Sequence, residues 1–84
     1  MDARAIEKYV EHEDRKNNII TISFKDRNNV AGLFIQQFDY EELKKKNFWR
    51  IVSFANLKDW EKTNNPNLAR IYSGSSFSKL TERK

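Results

Sequence analysis

The sequence predicts a mainly β fold with some helix: one small five-stranded barrel behind an N-terminal helix, with a second short helix between strands three and four. Three observations carry that prediction. Short segments alternate apolar and polar residues at the period of a half-buried strand, as in Ile20, Ile22 and Phe24 against Thr21, Ser23 and Lys25. The only two glycines, Gly32 and Gly74, each stand inside a strand-like segment, where glycine marks a bulge, a sharp bend or a close backbone approach. Six Phe, three Tyr and two Trp supply the large side chains that a domain of this size needs, because it buries only roughly 60% of its unfolded surface.

The elements follow in order. Residues 2–14 read as an amphipathic helix: Asp2 is placed to cap it, Ile6, Tyr9 and Val10 share one face, and Arg4, Glu7 and Glu11 face water. The polar cluster Asp14-Arg15-Lys16-Asn17-Asn18 stops it, and a strand runs over 19–25. Asp26-Arg27-Asn28-Asn29 has turn chemistry, which joins that strand to a second over 30–38 as a hairpin. Residues 40–46, ending in Lys44-Lys45-Lys46, read as a loop or one exposed helical turn.

A third strand spans 48–54, with Phe48, Arg50 and Val52 on one face and Trp49, Ile51 and Ser53 on the other; the pattern leaves open which face is buried. Asn56 reads as a helix cap with Asp59 at its third position, opening a short helix over 56–63 that carries Leu57 and Trp60 and ends in Thr63-Asn64-Asn65-Pro66. Strands over 68–73 and 77–80 close the barrel, and residues 81–84 form a basic tail. The 84 residues make a single domain with no internal repeat.

Composition narrows the function classes. With no cysteine there is neither a disulfide framework nor a thiolate metal site. The single histidine, His12, has no partner at metal-ligand spacing and reads as a solvent-facing helix residue. Neither a metal nor a cofactor is expected. Charged residues from Asp2 to Lys8 leave no room for a signal-peptide core, and no apolar run reaches the ~18 residues of a membrane span; a cytoplasmic protein is the expectation. Asp39, Glu41 and Glu42 lack a partner acid, base or nucleophile, and Ser73, Ser75 and Ser76 lack an activating base, so the chain does not read as an enzyme. Sixteen basic and twelve acidic residues give a net charge of +4, which leans toward polyanionic partners.

A helix leading into five strands, with an excursion between the third and fourth, resembles the Sm-like barrel of Sm, Lsm and Hfq proteins, and more broadly the SH3-like barrels. Phe77 and Leu80 stand three and six positions after Gly74, the spacing of apolar residues in the family's second motif. Ser73 occupies the place before that glycine where the family usually has a basic residue. Gly32 and the Phe38-Asp39 pair are similar to the first motif, at a separation that requires a bulge. Asn47 corresponds to the family's asparagine, after a longer loop.

The resemblance to Sm-like proteins implies a homo-oligomeric ring that holds single-stranded RNA. Tyr40 would stack a base, Asn47 would read its edge, Gly74 would let the backbone approach with Ser73 beside it in the same loop, and Lys44, Lys45 and Lys46 would meet phosphate. On the alternative structural reading Asn47 ends a loop, Tyr40 packs over the barrel mouth, Gly74 is a turn and the lysines are solvated. The resemblance to SH3-like domains implies instead a protein-interaction module, working through exposed strand edges or through Phe48, Trp49, Trp60 and Tyr72 as aromatic anchors. Phe48 and Trp49 also suit the core of so small a barrel.

Overall fold

The computed structural model describes residues 1–12 and 18–82; the predicted stop at Asp14-Arg15-Lys16-Asn17 and the tail residues Arg83 and Lys84 lie outside the described residues. Helix α1 (Ala3–Val10) starts where expected, with the Asp2 carboxylate accepting from the Ala5 N–H, and its last turn is closed by Glu11 rather than running on to residue 14. Strands β1 (Ile20–Phe24) and β2 (Val30–Phe34) form the predicted hairpin. They are followed by α2 (Tyr40–Lys45), β3 (Phe48–Ser53), a 3₁₀ turn, α3 (Leu57–Thr63), a second 3₁₀ turn, β4 (Ala69–Ser73), a third and β5 (Phe77–Glu82).

All five strands join one antiparallel sheet in the order β4-β3-β2-β1-β5. The sheet is not closed: β4 and β5 are its two edges, so the predicted barrel is realised as an open curled sheet. Strands β1, β3 and β4 are where the sequence put them, give or take a residue; β5 runs on to Glu82, taking Thr81 and Glu82 out of the expected basic tail because they pair with β1, and the larger departure is β2. It leaves the ladder at Phe34 instead of reaching residue 38, with only the Ile35 N–H still donating to the Arg50 carbonyl. The register irregularity falls between β1 and β5, where consecutive Ser23 and Phe24 face Lys79 and Phe77 so that Ser78 of β5 is the extra residue, and not in β2.

The core lies on one face of the sheet, beneath α1. Ile6 and Val10 of the helix meet Ile20, Ile22, Trp49, Ile51, Phe77 and Leu80, all buried. Phe77 is the hub of its rings, edge-on to both Phe24 and Phe34, a geometry favoured by the ring quadrupoles. The question of which face of β3 is buried resolves to both. Trp49 and Ile51 enter the core, and Val52 is also fully buried, on the side where α3 packs against β3. A central strand covered on two sides has no clean polar face to read. Asn56 precedes α3 but makes no side-chain cap bond, so that helix depends on its packing and on Asn64, which ends it in the left-handed conformation.

Both glycines have ordinary negative φ, so neither serves to reach an unusual backbone conformation. They are there for space. A Cβ on Gly32 would stand 2.6 Å from the Val52 carbonyl oxygen and 2.8 Å from Ile51 Cγ2, in the middle of the sheet where neither neighbour can withdraw. Gly32→Val is therefore expected to destabilise the fold by about 2–3 kcal/mol through overpacking, read as a drop in the urea midpoint at unchanged m-value. An unchanged midpoint would show that the β2–β3 approach is not tight.

Candidate functional site

The residues singled out in the sequence gather around the α2–β3 junction and the β4–β5 turn. Helix α2 ends because Asn47 adopts the left-handed conformation (φ 62°), which asparagine tolerates better than other residues with a Cβ. Its N–H donates to the Lys44 carbonyl, and the chain then turns into β3. The Asn47 side chain is occupied on both ends. Its Nδ2 donates to the Met1 carbonyl (3.0 Å) and its Oδ1 accepts from Trp49 Nε1 (2.8 Å). Its main-chain carbonyl accepts from the Gly74 N–H (2.8 Å), while the Met1 nitrogen donates to the Gly74 and Phe77 carbonyls. Gly74 has no room for a side chain, because a Cβ there would collide with Asn47 Oδ1 and Ile6 Cδ1.

Asn47 and Gly74, remote in sequence, are thus brought into direct contact, with Ser73 beside them. Ser73 and Ser75 share a hydrogen bond at the exposed turn. Tyr40 packs its ring against Trp49 and donates its hydroxyl to Glu11, so it lies inside the α1–α2 contact. Burial first, then the hydrogen bond to Glu11, push its phenol well above the usual range. Lys44 is surrounded by carboxylates: Glu7 at 2.5 Å, Glu41 at 2.8 Å and Glu11 at 3.2 Å. Its hydrogen bonds to Glu41 and Glu7 raise its pKa, so it stays charged and neutralised in place. Glu7 and Glu11, expected simply to face water, are the α1 half of this latch. Lys45 and Lys46 are exposed.

Of the aromatic anchors, Trp49 is in the core at 1% exposure, while Phe48 is 38% exposed. Trp60 is half-buried and lines a cavity of about 360 Å³ with Leu33, Ile35, Gln37 and Tyr40. Tyr72 is half-buried next to Phe24.

Sequence reasoning passed over two features. Phe38 projects into solvent almost completely (99%), and Asp39 beside it grips Arg50 of β3 through two parallel hydrogen bonds of 2.5 and 3.1 Å. The Asp39 carboxylate precedes α2 but makes no cap bond, being committed to Arg50. Among the described residues no group of His, Cys, Asp or Glu is placed to hold a metal ion, and no helix is long and apolar enough to cross a membrane. Comparison with family models, curated proteins and solved structures returns no match.

Two predictions follow from this geometry. Asn47→Ala is expected to cost about 2–4 kcal/mol, since it leaves the Trp49 indole N–H and the Met1 carbonyl without partners and adds the cost of alanine in the left-handed region. Asn47→Gly, which removes the amide but suits that conformation, should be milder by about 1 kcal/mol in the same urea titration. Equal losses would mean that the backbone conformation contributes nothing.

The second prediction concerns acid. The hydrogen bond from Arg50 holds the Asp39 carboxyl below its usual value. A depressed folded pKa adds stability that is complete above the unfolded value of about 3.9 and is lost as pH falls through the lowered folded value. The stability gap between wild type and Asp39→Asn should therefore be constant near neutrality and shrink only in strong acid. A gap already closing at pH above about 5 would place the pKa on the wrong side of its normal value.

Proposed function

We propose that this protein is a non-enzymatic assembly module that binds a second copy of itself through the open edge of β4. The observation that carries the proposal is the character of that edge. Among the described residues β4 pairs only with β3, and an unpaired strand exposes a row of N–H and C=O groups that template another strand. Natural edges are blunted by charge, proline or coverage; this one bears a single charge, the exposed Arg70, and beside it Ile71, 51% exposed and diagonal to the exposed Phe48 on the opposite face from Arg70.

The second copy is the fitting occupant because the other end of the sheet, β5, is also an edge. Pairing β4 of one copy with β5 of the next is heterologous and closes into a ring when the rotation permits. This is also what the resemblance to Sm-like barrels implies. Single-stranded RNA is the second reading, supported by the net charge of +4, the exposed Lys45 and Lys46, and the meeting of Asn47 with Gly74. In such a complex Asn47 would act through its placement of the β4–β5 turn, since its amide is already bonded within the chain.

Light scattering on the purified chain tests the assembly. Wild type should be an oligomer, and Ile71→Lys and Phe48→Glu should each yield monomers with an unchanged circular dichroism spectrum. A monomeric wild type would overturn the assembly reading. Salt-sensitive uptake of U-rich or A-rich single strands by the oligomer would extend it to RNA, and indifference to RNA would leave the self-assembly module standing alone.

A further inference from the structure

We infer that a second cavity, at the opposite end of β4 from the Asn47 junction, is a binding site for a phosphate group carried on a small molecule. This cavity, of about 210 Å³, opens where the β3–α3 connection and the start of β4 come together. Four polar side chains line it: Ser53, Asn56, Arg70 and Tyr72. None of the four makes a side-chain hydrogen bond or ion pair within the chain among the described residues. Arg70 is an exposed side chain on the edge strand, available to a partner from solvent, whereas the largely buried Arg50 and Lys44 are committed, to Asp39 and to three glutamates. A set of unspent donors converging on one hollow is what a ligand site looks like before its ligand arrives.

The charge of the set is positive. No carboxylate lines the cavity, and a second guanidinium, not itself part of the lining, lies over the ring of lining Tyr72: Arg27 is 5.1 Å from the Phe24 ring centroid and 5.8 Å from that of Tyr72. The ring quadrupoles hold its positive charge beside the cavity. No ion pair joins Arg27 to its neighbour Asp26 or to any other carboxylate among the described residues.

The Arg70 guanidinium, an amide and two hydroxyls, with the Arg27 charge nearby, offer more donors than the two oxygens of a carboxylate can accept. They suit the three terminal oxygens and greater charge of a phosphate monoester. Ile51 and Leu68 give the cavity an apolar side, against which the planar or aliphatic carrier of the phosphate would rest. The site shares no residue with the Asn47 junction, while its Arg70 and Tyr72 belong to β4, the edge proposed for assembly.

The test is titration of the ¹⁵N-labelled full chain, followed by amide chemical shifts, with inorganic phosphate, uridine monophosphate, uridine and acetate as separate probes. Phosphate and uridine monophosphate should produce saturable shifts confined to the neighbourhoods of Arg27, Ser53, Asn56 and Tyr72, and uridine and acetate should not. Tighter binding of the nucleotide than of phosphate would assign the apolar side to the carrier; equal affinity would assign the site to the phosphate group alone. Arg70→Gln is expected to weaken binding about tenfold, as loss of a charge-assisted pair does, and Arg27→Gln and Asn56→Ala several-fold. Lys79→Gln, which removes the same charge from an exposed position on β5, should leave affinity unchanged. Shifts scattered over the surface, equal weakening by Arg70→Gln and Lys79→Gln, or no saturation would each overturn the inference. Asn56→Ala carries the test if Arg70→Gln fails to fold.

Discussion

The fold depends on one asparagine placed where only an asparagine or a glycine sits comfortably. Asn47 ends α2 in the left-handed conformation, and from that position its amide and carbonyl reach the start of the chain, the indole of the core tryptophan and the β4–β5 turn. The contacts to Met1 and Gly74 join segments far apart in the chain, while that to Trp49 is local, two residues on. In a chain with so small a core, a node that satisfies a buried indole N–H while fixing three chain segments stabilises more than its hydrogen bonds counted singly. Gly74 follows from it, since the turn can approach Asn47 only without a side chain.

Around that node ion pairs tie separate elements together, beside the Lys44–Glu41 pair that runs along α2. Lys44 draws Glu7 and Glu11 of α1 toward α2, and Arg50 of β3 takes the carboxylate in front of α2. Helix α2 has only six residues and no buried side chain, too short to hold its shape by propensity alone. These ion pairs, with the Tyr40 ring on Trp49, are what position it. The same commitments set the electrostatic character of the surface: the lysine run that looked like one basic patch presents Lys45 and Lys46, while Lys44 faces inward.

What is left uncommitted then stands out. One end of the sheet carries an unpaired strand with the exposed Ile71, and one cavity collects polar side chains that make no side-chain hydrogen bond or ion pair among the described residues. Both involve β4, whose two faces offer Ile71 on one side and Arg70 with Tyr72 on the other, by the alternation of a strand. A single edge strand thus carries both surfaces on which the functional proposals rest.

The sequence by itself determined the strands and the first helix. Alternation at Ile20, Ile22 and Phe24, the Asp2 cap and the turn residues at 26–29 are local signals, each readable within a few residues because period and capping are properties of the chain alone. It also identified Gly32 and Gly74 as points of special constraint, and Asn47 as a residue of consequence. Only the tertiary structure decided what those residues do. The glycines admit neighbouring chain rather than an unusual φ, Val52 is buried by a helix that joins β3 from outside the core, and the sheet remains open at β4 and β5. The site followed the same division. Arg27 was legible only as part of a turn and Arg70 only as a strand residue too far before Gly74 to serve the second motif; that Arg70 lines a cavity with Tyr72, over whose ring Arg27 lies, depends on strand register and on how the turn sits against the sheet. Those are set by contacts between residues distant in the chain, and no local pattern encodes them.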